Sequence, residues 1–118
     1  MAAQPGEAVI YHNPRCSTSR NTLNLLRDSG FDPTIIEYLK DPPSRDQLVR
    51  IINDAGIDVR TAVRKRESLY SELNLADATD DQLLDAMVEH PILIERPFVV
   101  TPKGTRLARP LDTVREIL

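Results

Sequence analysis

The 118-residue chain has the length of one globular domain, and its 41% hydrophobic and 28% charged residues exclude a fibre or a disordered chain. The net charge of -3 and the 4% share of aromatic residues favour no nucleic-acid partner, because nucleic acid attracts basic, stacking surfaces. Residues 1–8 show no secretory leader and no stretch reaches about 18 apolar residues, which predicts a cytoplasmic protein without membrane contact.

The first 40 residues predict the order strand, helix, strand. Apolar or β-branched runs bounded by turn residues indicate the strands, and apolar residues at helical spacing indicate the helix between them. The three elements are a strand at residues 8–11, a helix from Ser17 to Ser29, and a strand at residues 34–39. Gly30 suits a left-handed helix cap, and Pro33 bounds the second strand. Cys16 should therefore lie at or just before the helix N-terminus.

The middle of the chain predicts helices. Two capping boxes, in which a Ser or Thr is followed three residues later by Gln, each precede an apolar helical pattern. They are Ser44 with Gln47 and Thr79 with Gln82. Asp58 predicts a further short capped turn that extends to Arg64, and the last of these helices should stop before Pro91.

The C-terminal part predicts a hairpin and a closing helix. The hairpin strands are residues 98–101 and 106–109 with a turn at residues 102–105, and an amphipathic helix covers residues 111–118. A βαβ start, a helical middle and a ββα end give an α/β, thioredoxin-like fold, a mixed four-stranded sheet with a helical insertion, which we predict as one domain over residues 1–118. In that fold a cis proline faces the cysteine, so we expect a cis Arg96–Pro97 bond.

Cys16 is the one cysteine of the chain, so it cannot form an internal disulfide. His12 and His90 offer no metal-ligand spacing with it, and we predict no bound metal. A helix N-terminus lowers the pKa of a thiol, which favours a reactive Cys16, whereas spacing alone leaves a small buried residue as the alternative. Arg96 and Arg109 flank the predicted hairpin, and convergent guanidinium groups favour a receptor for a tetrahedral dianion.

Two neighbouring positions narrow the chemistry of Cys16. A phosphatase-type loop places arginine six residues after the cysteine, but that position is Thr22. A CxxC oxidoreductase has a second cysteine at the position of Ser19. Any disulfide chemistry must therefore recruit a thiol from another molecule.

The sequence YHNPRCSTSRNTL at residues 11–23 resembles the glutaredoxin-dependent arsenate reductases, the ArsC family, which share their fold with Spx-type regulators. The resemblance continues through nearly the whole chain. Its further segments are residues 38–39, 42–44, 63–65, 80–83, 90–97 and 101–106.

The resemblance implies an oxidoreductase that reduces arsenate to arsenite, with glutathione as cosubstrate, glutaredoxin as partner and no bound cofactor. It implies that Cys16 is the nucleophile and that His12 helps to hold it as a thiolate, for which we expect an imidazolium. It also implies that the arsenic oxyanion is bound by Arg64, Arg96 and Arg109. An Spx-like regulator is one alternative, opposed by Ser19, and a glutathione-dependent thiol transferase is another, opposed by the three arginines.

Overall fold

The computed structural model describes residues 7–118, which form two compact units. One unit holds residues 7–41 and 96–118, and the other holds Pro42–Glu95. The prediction of one domain over the whole chain stays a prediction, and the leader-free segment expected at residues 1–8 lies almost wholly outside the described residues. No helix within residues 7–118 is both long enough and apolar enough to cross a membrane.

The first unit contains a four-stranded mixed sheet, as the sequence predicts. Its elements are β1 (Glu7–His12), α1 (Ser17–Asp28), β2 (Asp32–Glu37), β3 (Phe98–Thr101), β4 (Gly104–Leu107) and a 3₁₀ helix (Leu111–Ile117). The strand order is β2-β1-β3-β4, with β1 parallel to β2 and the remaining neighbours antiparallel. β1 and β3 are the two central strands, and the end of β1 lies beside the start of β3. The segments directly after β1 and directly before β3 are therefore held close together by paired strands.

The core of the first unit joins the central strands to α1 and the C-terminal 3₁₀ helix. Ile10 of β1 and Val99 of β3 are fully buried together with Leu26 of α1, and Val114 and Ile117 close the same cluster. Burial of this apolar surface is the main stabilising contribution to the unit. Because β1 and α1 both contribute to this core, the two ends of the loop that connects them are held in place.

The second unit is the helical insertion expected in the middle of the chain. It contains α2 (Arg45–Asp54), α3 (Val59–Ala62), α4 (Ser68–Glu72), α5 (Asp80–Glu89) and 3₁₀ helices at Leu75–Asp77 and Pro91–Leu93. Both capping boxes are confirmed, because Ser44 caps α2 and Thr79 caps α5 with the reciprocal Gln bonds. The two helices pack on each other, and each buries an apolar face.

The second strand begins earlier than the sequence predicts. β2 starts at Asp32 and includes Pro33, whereas Tyr38 and Leu39 lie in the following turn. Pro33 is tolerated because β2 is an edge strand, where a residue without an N–H group need not break a ladder on both sides. The expectation that Pro33 lies just outside a strand at residues 34–39 was therefore wrong.

The hairpin is tighter than predicted. Gly104, expected in the turn, already pairs with Thr101, so only Pro102 and Lys103 connect the strands. Gly104 has a φ of 148°, a conformation that favours glycine and allows pairing directly after the turn. Consequently β4 ends at Leu107, and Arg109 lies beyond it instead of within it.

Two further element boundaries and the cis proline bonds complete the comparison with the predictions. α3 ends at Ala62, short of Arg64, because Val63 forms an antiparallel bridge with Ile94. The closing helix at residues 111–118 is a 3₁₀ helix over Leu111–Ile117. The cis Arg96–Pro97 bond is confirmed, and the Arg109–Pro110 bond is cis as well.

Candidate active site

The loop between β1 and α1 is fixed by its own hydrogen bonds. The carbonyl of Asn13 accepts from the N–H of Cys16 at 3.0 Å, and its side-chain oxygen accepts from the N–H of Arg15 at 3.0 Å. Arg20 donates from Nη1 to the carbonyl of Pro14 at 2.9 Å. Cys16 is the N-cap residue of α1, with φ -93° and ψ 122°, as its position in the sequence predicts. The thiol therefore has a defined position at the positive end of a helix.

Arg109 is the charged side chain that contacts the thiol directly. Its Nη2 lies 3.5 Å from Sγ of Cys16, while its Nε donates to the carbonyl of Arg96 at 2.8 Å. Arg96 is itself only 5% exposed. The first unit thus brings together three of the residues predicted for the site, Cys16, Arg96 and Arg109.

The surroundings of Cys16 favour its thiolate. Burial by itself raises the pKa of the Cys16 thiol, but stabilisation of the thiolate outweighs it. The backbone N–H of Ser19, the guanidinium of Arg109, the backbone N–H of Thr18 and the guanidinium of Arg96 all lower this pKa. The result is a pKa below the ordinary value of a free thiol, which agrees with the expectation from the sequence and suits a nucleophile.

His12 contacts Ser19 instead of the sulfur. Its Nδ1 lies 2.6 Å from Oγ of Ser19, and the N–H of Asn13 donates to the same oxygen at 3.1 Å. His12, Asn13 and Ser19 are all buried, so these bonds are shielded from water. Since the backbone N–H of Ser19 stabilises the Cys16 thiolate, His12 is connected to the thiol through Ser19.

The charge expected on His12 is not what its surroundings favour. Burial lowers the pKa of His12, the nearby Glu37 raises it, and Arg20 and Arg27 lower it further, with a net shift downward. This lowered pKa disfavours the imidazolium that the sequence analysis expects beside the thiolate. That His12 helps to hold Cys16 as a thiolate stays a prediction. Its contact with Ser19 offers a route for this effect, because the N–H of Ser19 stabilises the thiolate.

Arg64 belongs to the second unit and is held there by two carboxylates. Its Nε donates to Glu67 at 3.2 Å and its Nη1 donates to Glu95 at 3.1 Å. The prediction that Arg64 binds the same oxyanion as Arg96 and Arg109 stays a prediction. The sequence analysis predicted neither glutamate as a partner of Arg64. The spacing of three residues between Arg64 and Glu67 could have indicated that pair, whereas Glu95 is 31 residues away and no local pattern indicates it.

Three other histidine and arginine residues of the chain occupy ordinary structural or surface positions. His90 caps the end of α5, Arg66 is exposed, and Arg106 forms an ion pair with Glu116 at 2.9 Å. Within residues 7–118 there is no group of three or more His, Cys, Asp or Glu side chains suited to hold a metal ion.

Comparisons of the sequence and the structure with known proteins all point to the same family. Residues 11–117 match the ArsC family. The chain is 60% identical over 112 residues to the arsenate reductase of Escherichia coli, covering 93% of this chain and 79% of that protein, and 57% identical to the arsenate reductase of Rhizobium meliloti, covering 93% and 80%. The solved structure of an arsenate reductase from Vibrio cholerae superimposes with a TM-score of 0.90 at 48% identity, over 100% of both chains.

Proposed function

We propose, because the chain belongs to the ArsC family, that it reduces arsenate to arsenite with Cys16 as the nucleophile. The high identity to proteins named arsenate reductase supports the activity. The observation that carries the assignment of Cys16 is the 3.5 Å contact between its Sγ and Nη2 of Arg109 at the start of α1. This arrangement places a stabilised thiolate beside a cation suited to an oxyanion.

In the first step the Cys16 thiolate attacks the arsenic(V) atom of arsenate. A sulfur–arsenic bond forms, and one arsenate oxygen takes up protons and leaves as water. Arg109 and Arg96 stabilise the negative charge on the remaining oxygens, since a dianion that leaves water needs several fixed donors. Arg64 is the third predicted donor to this anion.

The later steps use thiols from outside the chain. Glutathione displaces a second oxygen as water and forms a second sulfur–arsenic bond. The thiolate of glutaredoxin then attacks the sulfur of the bound glutathione, and the two form a mixed disulfide. The bond between arsenic and the glutathione sulfur breaks, and its electron pair stays on arsenic, which becomes trivalent. Hydrolysis of the Cys16–arsenic bond releases arsenite and regenerates the thiol. No bound cofactor enters this cycle, and a cytoplasmic location suits it because thiols are kept reduced there.

The experiment is an arsenate reduction assay coupled to glutaredoxin, with and without glutathione, on the wild-type chain and on Cys16→Ser. We expect arsenite formation only in the wild type with glutathione, because a serine hydroxyl is barely ionised and forms no arsenic–sulfur bond. The far-UV circular dichroism of Cys16→Ser should match that of the wild type. Glutathione-dependent reduction by Cys16→Ser would contradict the nucleophile, and full turnover with a thioredoxin system alone would contradict the proposed donors.

A further inference from the structure

The side-chain hydroxyl of Ser19 connects the end of β1 to the first turn of α1. Its oxygen accepts from the N–H of Asn13 at 3.1 Å and lies 2.6 Å from Nδ1 of His12, the last residue of β1. Ser19 is fully buried, so solvent does not compete with these two partners. The hydroxyl therefore holds a fixed place between the strand and the helix.

The two partners determine the direction in which this hydroxyl donates. The Asn13 N–H is a donor only, so the Ser19 oxygen is the acceptor in that bond. Within residues 7–118, the acceptor at hydrogen-bond distance from the hydroxyl is Nδ1 of His12. A protonated Nδ1 would leave the hydroxyl facing two donors with its own proton buried and unpaired, which is costly. The contacts are satisfied when Ser19 donates to an unprotonated Nδ1, which puts the proton of the neutral imidazole on Nε2.

The backbone of Ser19 faces the thiol of Cys16. Burial raises the pKa of this thiol, and the N–H of Ser19 is the strongest of the groups that lower it. On the other side of Cys16, the carbonyl of Asn13 accepts from the Cys16 N–H at 3.0 Å. The Ser19 hydroxyl thus holds the residue that binds the Cys16 N–H and also the helical turn that stabilises the sulfur.

We propose that Ser19 is a positioning residue, whose hydroxyl donates to Nδ1 of His12 and thereby holds the first turn of α1 in place around the Cys16 sulfur. The proposal rests on the proposed function, in which Cys16 is the nucleophile. N–H groups that are fixed in advance stabilise a charge without further reorganisation, which favours the thiolate. The position where a CxxC oxidoreductase has its second cysteine thus serves here to orient the helical turn, without taking part in thiol exchange.

The first experiment measures the rate of Cys16 alkylation by iodoacetamide against pH for the wild type, Ser19→Ala and Ser17→Ala. We expect the midpoint of Ser19→Ala to move upward by about one half to one pH unit, which lowers the thiolate fraction below the midpoint roughly three- to tenfold. Ser17→Ala is the matched control, because Ser17 is exposed in the same turn and its hydroxyl bonds to no residue within 7–118. An unshifted midpoint in Ser19→Ala would overturn the positioning role.

A second experiment tests the direction of the bond to His12. Proton–nitrogen NMR correlation spectra of the imidazole rings at about pH 8 identify the ring nitrogen that carries the proton. His90 is the one other histidine of the chain, and His90→Gln removes its signals. We expect His12 of the wild type to carry its proton on Nε2. A protonated Nδ1 would overturn the proposal, and this measurement needs no change at Ser19.

His12→Ala keeps the test decisive if Ser19→Ala does not fold. It removes the acceptor of the Ser19 hydroxyl, so the alkylation midpoint should again move upward. Where Ser19→Ala folds, the addition of His12→Ala should shift its midpoint no further, because the two residues act through one bond. An unchanged midpoint in His12→Ala, or additive shifts in the double variant, would overturn the link through Ser19.

Arsenate reduction by the same variants distinguishes this proposal from the proposed function. In Ser19→Ala, kcat/KM for arsenate should fall at low pH and recover as the pH rises above the new midpoint, because the thiol is then ionised. A loss of equal size at every pH would overturn the positioning role while reduction still depended on Cys16. Reduction that persists in Cys16→Ser would instead contradict the function itself.

Discussion

The groups that lower the pKa of Cys16 lie at very different distances along the chain. The backbone N–H groups of Thr18 and Ser19 are local and follow from the start of α1 directly after Cys16. Arg109 is 93 residues away and reaches the sulfur because β3 lies beside β1 and β4 pairs with β3. The local part of this environment follows from sequence order, whereas the distant part depends on the complete sheet.

Removal of the Arg109 guanidinium should raise the pKa of Cys16. In Arg109→Ala the thiolate loses a positive charge 3.5 Å away, so a smaller fraction of the thiol is ionised at neutral pH. The rate of alkylation by iodoacetamide against pH measures this, and its midpoint should move to higher pH. Arg106→Ala is the matched control, because that side chain pairs with Glu116. An unshifted midpoint in Arg109→Ala would remove Arg109 from the environment of the thiol.

The side-chain partners mark the limit of what the sequence predicts about the site. Cys16 at the helix start, with Arg96 and Arg109 beside it, follows from element order and residue type. The contact of His12 with Ser19 does not, because a spacing of seven residues across a turn has no regular geometry. The surroundings that disfavour a charged His12 are not visible in the sequence either, since burial, which lowers the pKa of His12, is a property of the folded unit.

At the scale of elements, predictions succeed where the signal lies within a few residues. The capping boxes place the starts of α2 and α5 correctly, because cap and partner are three residues apart. α4 and the 3₁₀ helix at Leu75–Asp77 are too short to repeat an apolar pattern, so nothing in the sequence indicates them. β2 was misplaced because the tolerance for Pro33 depends on whether the strand lies at the sheet edge.

Loss of the α2 cap should destabilise the protein measurably. Ser44→Ala removes the side-chain oxygen that accepts from the N–H of Gln47, so the free energy of unfolding should fall by about 1 kcal/mol. Urea unfolding measures this change. Ser71→Ala, an exposed serine within α4, is the control and should stay within about 0.5 kcal/mol of the wild type. Equal stability of Ser44→Ala and the wild type would mean that the cap contributes nothing to folding.

At the scale of the whole molecule, the lowered pKa of Cys16 makes folding stability depend on pH. The folded chain releases the thiol proton at a lower pH than the unfolded chain does. The resulting stability is fully present above the unfolded pKa of about 8.5, and it is lost as pH falls through the folded pKa. Urea unfolding of the wild type and Cys16→Ser at about pH 5, 7 and 9 should show a difference that grows with pH. A difference that is constant across this range would contradict the lowered pKa.

The global organisation of the chain is predicted better than its details. The order βαβ, helices, ββα already implies a mixed sheet that the helical segment interrupts, and both features are present. Each part has its own buried apolar residues, which the helical and strand periods of the sequence indicate. Boundaries set by contacts between distant segments, such as the end of α3 at the Val63–Ile94 bridge, are not encoded in any short stretch.

Pro33 in β2 also bears on how the protein behaves when it is concentrated. An exposed sheet edge is a template for strands of other molecules, and β2 carries the exposed apolar side chain of Ile35 on that edge. Pro33 has no N–H group, so it donates to no strand on either side of β2. The opposite edge strand, β4, is only four residues long and offers few groups for pairing. The same proline that obscures the start of β2 in the sequence therefore makes this edge a poorer template for edge-to-edge pairing.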